Sequence, residues 1–110
     1  MSVEDVNKID AIGIPKDDLE LVNLGIADHL PWEPPVEEHL YKLQEKINSY
    51  IRFIESGEIY ESFPAAKNTR KKLIEICFQY EPSDEAVYFL QKVRDVLASV
   101  DIDFRYFVAE

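Results

Sequence analysis

The chain has 110 residues, one cysteine (Cys77) and a formal charge of -10 from 22 acidic against 12 basic side chains. That length allows one domain with one modest core, a lone cysteine rules out an intramolecular disulfide, and no stretch approaches the ~20 apolar residues of a membrane span. With 46% hydrophobic residues the chain is too apolar to be disordered, and MSVEDVNKID carries no basic stretch followed by an apolar run, so the expectation is one acidic, cytoplasmic domain, residues 1–110.

Residues 6 to 28 read as two strands around a turn. Ile12 and Ile14 alternate with small or polar neighbours in the first, and Pro15-Lys16-Asp17-Asp18 supplies turn chemistry. In the second run, from Leu19 to Asp28, Val22, Leu24 and Ile26 share one face. An antiparallel hairpin is the economical reading, without a defined register. Three of the six prolines then fall within residues 28 to 35 and bar regular structure until Pro35, which suits a first helical turn. From about Val36 to Ser56 the apolar positions Val36, Leu40, Leu43, Ile47, Tyr50, Ile51 and Ile54 form a stripe about 100° wide, the strongest helical signal in the chain. Glu37 and Glu38 favour its start and Gly57 offers a C-terminal cap.

Glu58 to Asn68 reads as irregular or partly extended, because Pro64 forbids a long helix. Leu73 to Tyr80 is a strand with Ile74, Ile76, Phe78 and Tyr80 on one face. Ser83 is a cap for a second helix from about Asp84 to Val100, burying Ala86, Phe89, Leu90, Val93, Leu97 and Val100. Ile102 to Val108 alternates as a last strand, with Ile102, Phe104, Tyr106 and Val108 inward. The order β-β-α-β-α-β, with helices that each have one apolar face, predicts a two-layer α/β sandwich of the α+β kind: a four-stranded mixed sheet with both helices on one face. Strands two to three and three to four should be joined by right-handed crossovers and run parallel. The other sheet face mixes Leu19, Leu21, Leu73, Cys77 and Phe107 with Glu75, Gln79, Asp103 and Arg105, a composition that suits cover by a partner or a second copy.

The stretch Asp28-His29-Leu30-Pro31-Trp32-Glu33, with residues 38 to 50 (EHLYKLQEKINSY) and 54 to 60 (IESGEIY), resembles a family of small bacterial proteins known only as a domain of unknown function. The likeness extends to Val6-Asn7-Lys8-Ile9-Asp10 and to Phe104-Arg105-Tyr106. It implies a stand-alone bacterial domain and assigns no reaction and no catalytic residue.

Chemistry-bearing residues gather in one place. Asp28, His29, Trp32, Glu33 and His39 bring both histidines and the only tryptophan to the end of a strand and the start of a helix, where ligand sites in crossover sheets form. The spacing of the histidines and carboxylates matches no established metal set, so no metal, cofactor or catalytic residue is assigned. The competing reading makes Trp32 a lid on the end of the core and gives His39 one structural hydrogen bond on the flank of the helix stripe. Lys67 to Lys72 holds four of the twelve bases, but a net charge of -10 and the absence of interleaved aromatics argue against nucleic acid. Tyr41, Phe53 and Tyr88 fall off the buried stripes and are candidate interface residues. Cys77, mid-strand and without a neighbouring histidine, reads as packing rather than as a nucleophile, and Gly13, Gly25 and Gly57 are too scattered for a phosphate loop.

The resulting expectation is a non-enzymatic protein-interaction module, binding another protein or itself as a homodimer, with no membrane or nucleic-acid partner. The alternatives are a small-ligand or metal-binding domain using Asp28 to His39, and an immunity or antitoxin-like inhibitor whose negative charge speeds encounter with a basic toxin.

Overall fold

The computed structural model describes residues 3–5 and 7–109. Its elements are β1 (Ala11–Gly13), β2 (Leu21–Asp28), α1 (Val36–Glu55), α2 (Glu58–Ser62), a 3-10 segment (Pro64–Asn68), β3 (Lys71–Phe78), α3 (Asp84–Ala98) and β4 (Asp103–Val108). The strands form one open mixed sheet in the order β1-β2-β3-β4. β1 pairs antiparallel with β2, Ile12 opposite Leu24, while β2 with β3 and β3 with β4 are parallel, Ile26 opposite Ile76 and Ile76 opposite Tyr106. Val22, Leu24, Ile26, Ile74, Ile76 and Phe78 share one face and are buried against Leu43, Ile47 and Tyr50 of α1 and Leu90, Val93 and Leu97 of α3. Both long helices thus cover the same face, as the one-sided patterns of the strands and helices require.

The hairpin is shorter than its pattern suggests. Residues 7 to 10 do not join the ladder, and Val6, where the first strand was expected to start, lies outside the described residues. The reason is competition for backbone groups: Lys46 Nζ donates to the carbonyls of Asp5 and Lys8 at 2.6 and 2.7 Å, and Asp10 Oδ2 accepts the Ala27 N–H at 3.0 Å. A lysine and a carboxylate do there what a strand would otherwise do. The turn forms where it is expected, with Asp18 N–H donating to the Pro15 carbonyl and Asp18 Oδ1 accepting the Glu20 N–H.

Helix α1 has the expected bounds: Pro35 precedes it in extended conformation, and Gly57 follows at φ 85°, a left-handed position that favours glycine. Its buried face is rotated. His39, Leu43, Lys46, Ile47, Tyr50, Phe53 and Ile54 point inward, a stripe turned by about 50° from the all-apolar one at 100° per residue. Phe53, expected as an outward interface residue, is therefore 9% exposed and part of the core, whereas Val36, Leu40 and Ile51 are left half-buried. The stretch 58 to 68 is helical, not extended. Pro64 does bar one continuous helix, but it is acceptable in a first turn, so the chain makes α2, breaks at Phe63 and restarts as the 3-10 segment.

β3 lies two residues earlier than its hydrophobic pattern, and Tyr80, expected inward, is exposed beyond its end. The two lysines at its start are tolerated because Lys71 reaches Asp18 Oδ2 at 2.6 Å. Ser83 caps α3, its hydroxyl accepting the Ala86 N–H at 3.2 Å. That helix ends at Ala98, which leaves Val100 in the following turn and exposed rather than buried, and Val108, expected inward, is exposed at the sheet edge.

Candidate functional site

Three of the five residues singled out at the β2–α1 junction come together. Asp28 ends β2 with its carboxylate buried on the helix side, and His39 stands in the first turns of α1 directly over it. His39 Nε2 lies 2.6 Å from Asp28 Oδ2. A carboxylate only accepts, so Nε2 donates. Asp28 Oδ1 accepts the Leu30 N–H at 3.1 Å, and the Asp28 carbonyl accepts the Gln79 N–H across to β3. Trp32 lies flat on His39, ring centroids 3.6 Å apart and planes 15° apart, and its indole N–H donates to the Tyr80 carbonyl. His29 and Glu33 do not take part: His29 turns to Glu4 Oε1 at 3.2 Å on the surface, and Glu33 is exposed.

Asp28 and His39 are 2% and 5% exposed, so Trp32 closes this junction as a lid. Nδ1 of His39 is buried without a hydrogen-bond partner among the described residues, and no three His, Cys, Asp or Glu side chains among them form a set that could hold a metal ion. The geometry is that of a clasp. It ties the end of β2 to the start of α1 across a proline-rich loop.

A second polar cluster runs along the same face of α1. Lys46, fully buried, completes its contacts with Asp10 Oδ1 at 2.9 Å, and the Tyr50 hydroxyl donates to the Gly25 carbonyl and accepts the Asp10 N–H at 2.8 Å. Burial, reinforced by the Asp10 charge, pushes the Tyr50 hydroxyl pKa well above its ordinary value of 10.0. Neither Lys46 nor Asp10 was a candidate from the sequence. The signal was available, since positions 39, 43, 46, 50 and 53 follow spacings of 4, 3, 4 and 3, but hydropathy assigned lysine and histidine to the outside.

The rotation of α1 toward β2 and the amino-terminal segment has an effect on its other flank. Between α1 and α3 it leaves an open groove of about 440 Å³. Ile47, Val93 and Leu97 form its floor, Ile51, Phe89 and Val96 its walls, and Gln44, Asn48 and Lys92 its rim. Val96 is 57% exposed in the last turn of α3. Tyr88 stands beside this groove with Lys92 Nζ 4.4 Å from its ring centre, and Tyr41 lies one turn before Gln44 on α1; both tyrosines are exposed, as expected of interface candidates. Two further hollows lie beside Gly13 and Gly25 on the open sheet face, of about 390 Å³, and between Asn7 and Arg52, of about 420 Å³; the second has the more polar surroundings. The basic run at 67 to 72 is largely engaged within the chain: Arg70 with Glu20, Lys71 with Asp18, and Lys72 over the Tyr60 ring.

No helix among the described residues is long and apolar enough to cross a membrane. Comparison with protein-family models matches residues 1–110 to a family of unknown function, DUF6572. No curated protein and no solved structure matches the chain.

Proposed function

The chain belongs to the DUF6572 family of unknown function, and from its own surface we propose that it is a non-enzymatic interaction module whose groove between α1 and α3 receives a basic amphipathic helix of a partner protein. The observation that carries this reading is the groove itself: apolar side chains at i, i+4 on α1 (Ile47, Ile51) and at i, i+4, i+7 on α3 (Phe89, Val93, Val96) that no segment among the described residues covers. Rows of that spacing on two neighbouring helices accept the ridge of a third. Charge favours a basic occupant. The two helices carry seven carboxylates against four accessible bases, because Lys46 is buried on Asp10, and the whole chain adds a field of -10.

The test uses a synthetic helical peptide with leucines along one stripe and lysines elsewhere, beside a scrambled peptide of the same composition. Fluorescence anisotropy should show the helix binding and the scrambled peptide binding much less, and Val96→Glu should weaken the helix at least about tenfold, the scale of losing one central apolar contact. Equal binding of both peptides, or no effect of Val96→Glu, means only general attraction between lysine and an acidic chain and sinks the reading.

A further inference from the structure

β4 is the free edge of the sheet, bonded on one side only. The Ala109 N–H donates to the Phe78 carbonyl at 2.7 Å, which sets the phase of the parallel ladder with β3. Odd-numbered residues of β4 therefore turn both backbone groups toward β3, and the N–H and C=O of Phe104, Tyr106 and Val108 point out of the sheet. The other edge, β1, is three residues long; β4 has six, without a proline or a lysine to discourage pairing.

We propose that two copies of this chain join antiparallel through β4, Phe104 opposite Phe104, to make one continuous sheet. The charges on the open face select this register. It places Asp103 opposite Arg105 of the second copy, and by symmetry the same pair forms twice. Asp103 makes no ion pair within 4.0 Å among the described residues, although its charge acts at longer range on Lys71, while Arg105, although bonded to Glu75, keeps 61% of its side chain exposed. Phe104 opposite Tyr106 would instead set Arg105 against Arg105. Tyr106 opposite Tyr106 would set Arg105 against Phe107 and carry Asp103 past the end of the strand. Repulsion between two chains of charge -10 is screened beyond about 8 Å at physiological salt, a distance the cross-strand pairs do not exceed.

Sedimentation velocity of the full chain, from low micromolar to near-millimolar concentration, tests the proposal. The mass should rise from one chain to two. Asp103→Arg, which turns both pairs into Arg–Arg contacts and within the chain removes only the longer-range attraction of Asp103 for Lys71, should weaken association at least about tenfold. Asp103→Arg with Arg105→Asp should restore it, and Val108→Pro, outside the paired stretch, should leave it intact. Circular dichroism melts establish that each variant is folded. A single-chain mass throughout, a dimer indifferent to Asp103→Arg, or failure of the folded double variant to restore it overturns the proposal. So does a dimer lost with Val108→Pro, or with Val96→Glu in the groove, which would place the contact elsewhere.

Discussion

Three side chains on the buried face of α1, His39, Lys46 and Tyr50, are polar, and each is there because it meets a specific partner from another part of the chain. Lys46 has three N–H donors and three oxygens within 2.9 Å, those of Asp5, Lys8 and Asp10. Lys46→Met fills the same space but strands these acceptors, and removing one member of a buried pair costs about 3–5 kcal/mol. Urea denaturation at neutral pH measures it; a loss below about 1 kcal/mol would mean that water reaches the cluster and screens it. Tyr50 carries a pH dependence. Its pKa is raised in the folded protein by burial, so the folded chain holds this proton after the unfolded chain has lost it. The associated stability is full below about pH 10, the unfolded value, and is lost as pH rises beyond it. Tyr50→Phe should be less stable at neutral pH by about 1–3 kcal/mol, because the Asp10 N–H and Gly25 carbonyl lose a partner, and should show a flatter decline above pH 10. Denaturation midpoints of both proteins across that range decide it: parallel declines would show that Tyr50 does not control the alkaline limit.

At the scale of elements, boundaries set by local chemistry were legible. α1 begins after Pro35 and ends before Gly57, and α3 begins at the Ser83 cap, all positions where a single residue type fixes backbone geometry or supplies a missing acceptor. Ser83→Ala should cost about 1 kcal/mol by removing the acceptor for the Ala86 N–H, read as a lower melting temperature, while Ser83→Asp keeps the acceptor and should restore most of it. What hydropathy misplaced was the angle of α1. An apolar stripe on Val36, Leu40 and Ile51 and the actual one on His39, Lys46 and Phe53 have the same helical period, and only partners 25 or more residues away for Lys46 and Tyr50 choose between them. β3 slipped for a related reason: Tyr80 continues its alternation, but pairing ends where β2 ends, with Asp28 opposite Phe78. The candidate site divided in the same way. Asp28, Trp32 and His39 were found as a cluster from their proximity in sequence, but their closure into a buried clasp depends on Phe78 at the end of β3 and Tyr80 just beyond it.

For the whole molecule, the sheet order β1-β2-β3-β4 makes β2 and β3 central and places two long, buried strands between two edges of unequal length. The three-residue β1 offers little to pair with, so an edge-to-edge contact falls to β4. On the helix side, the clasp and the Lys46 cluster pull α1 toward β2 and leave the groove beside α3, so the interior polar contacts and the accessible apolar surface have one origin. Charge is unevenly spread: residues 1–55 carry 12 acids and 5 bases, residues 56–110 carry 10 and 7. Much of the basic run near Lys71 is consumed by Asp18 and Glu20 of the turn before β2. By itself the sequence determined the two-layer class, the parallel sense of the crossover strands, both ends of α1 and the start of α3, since these follow from periodicity, chain direction and single capping residues. The tertiary structure alone decided which face of α1 is inside, that Lys46 and Phe53 belong to the core, and where apolar surface stays open. Those outcomes depend on hydrogen-bond partners distant in sequence, which fix a helix's rotation when hydropathy offers two nearly equal stripes.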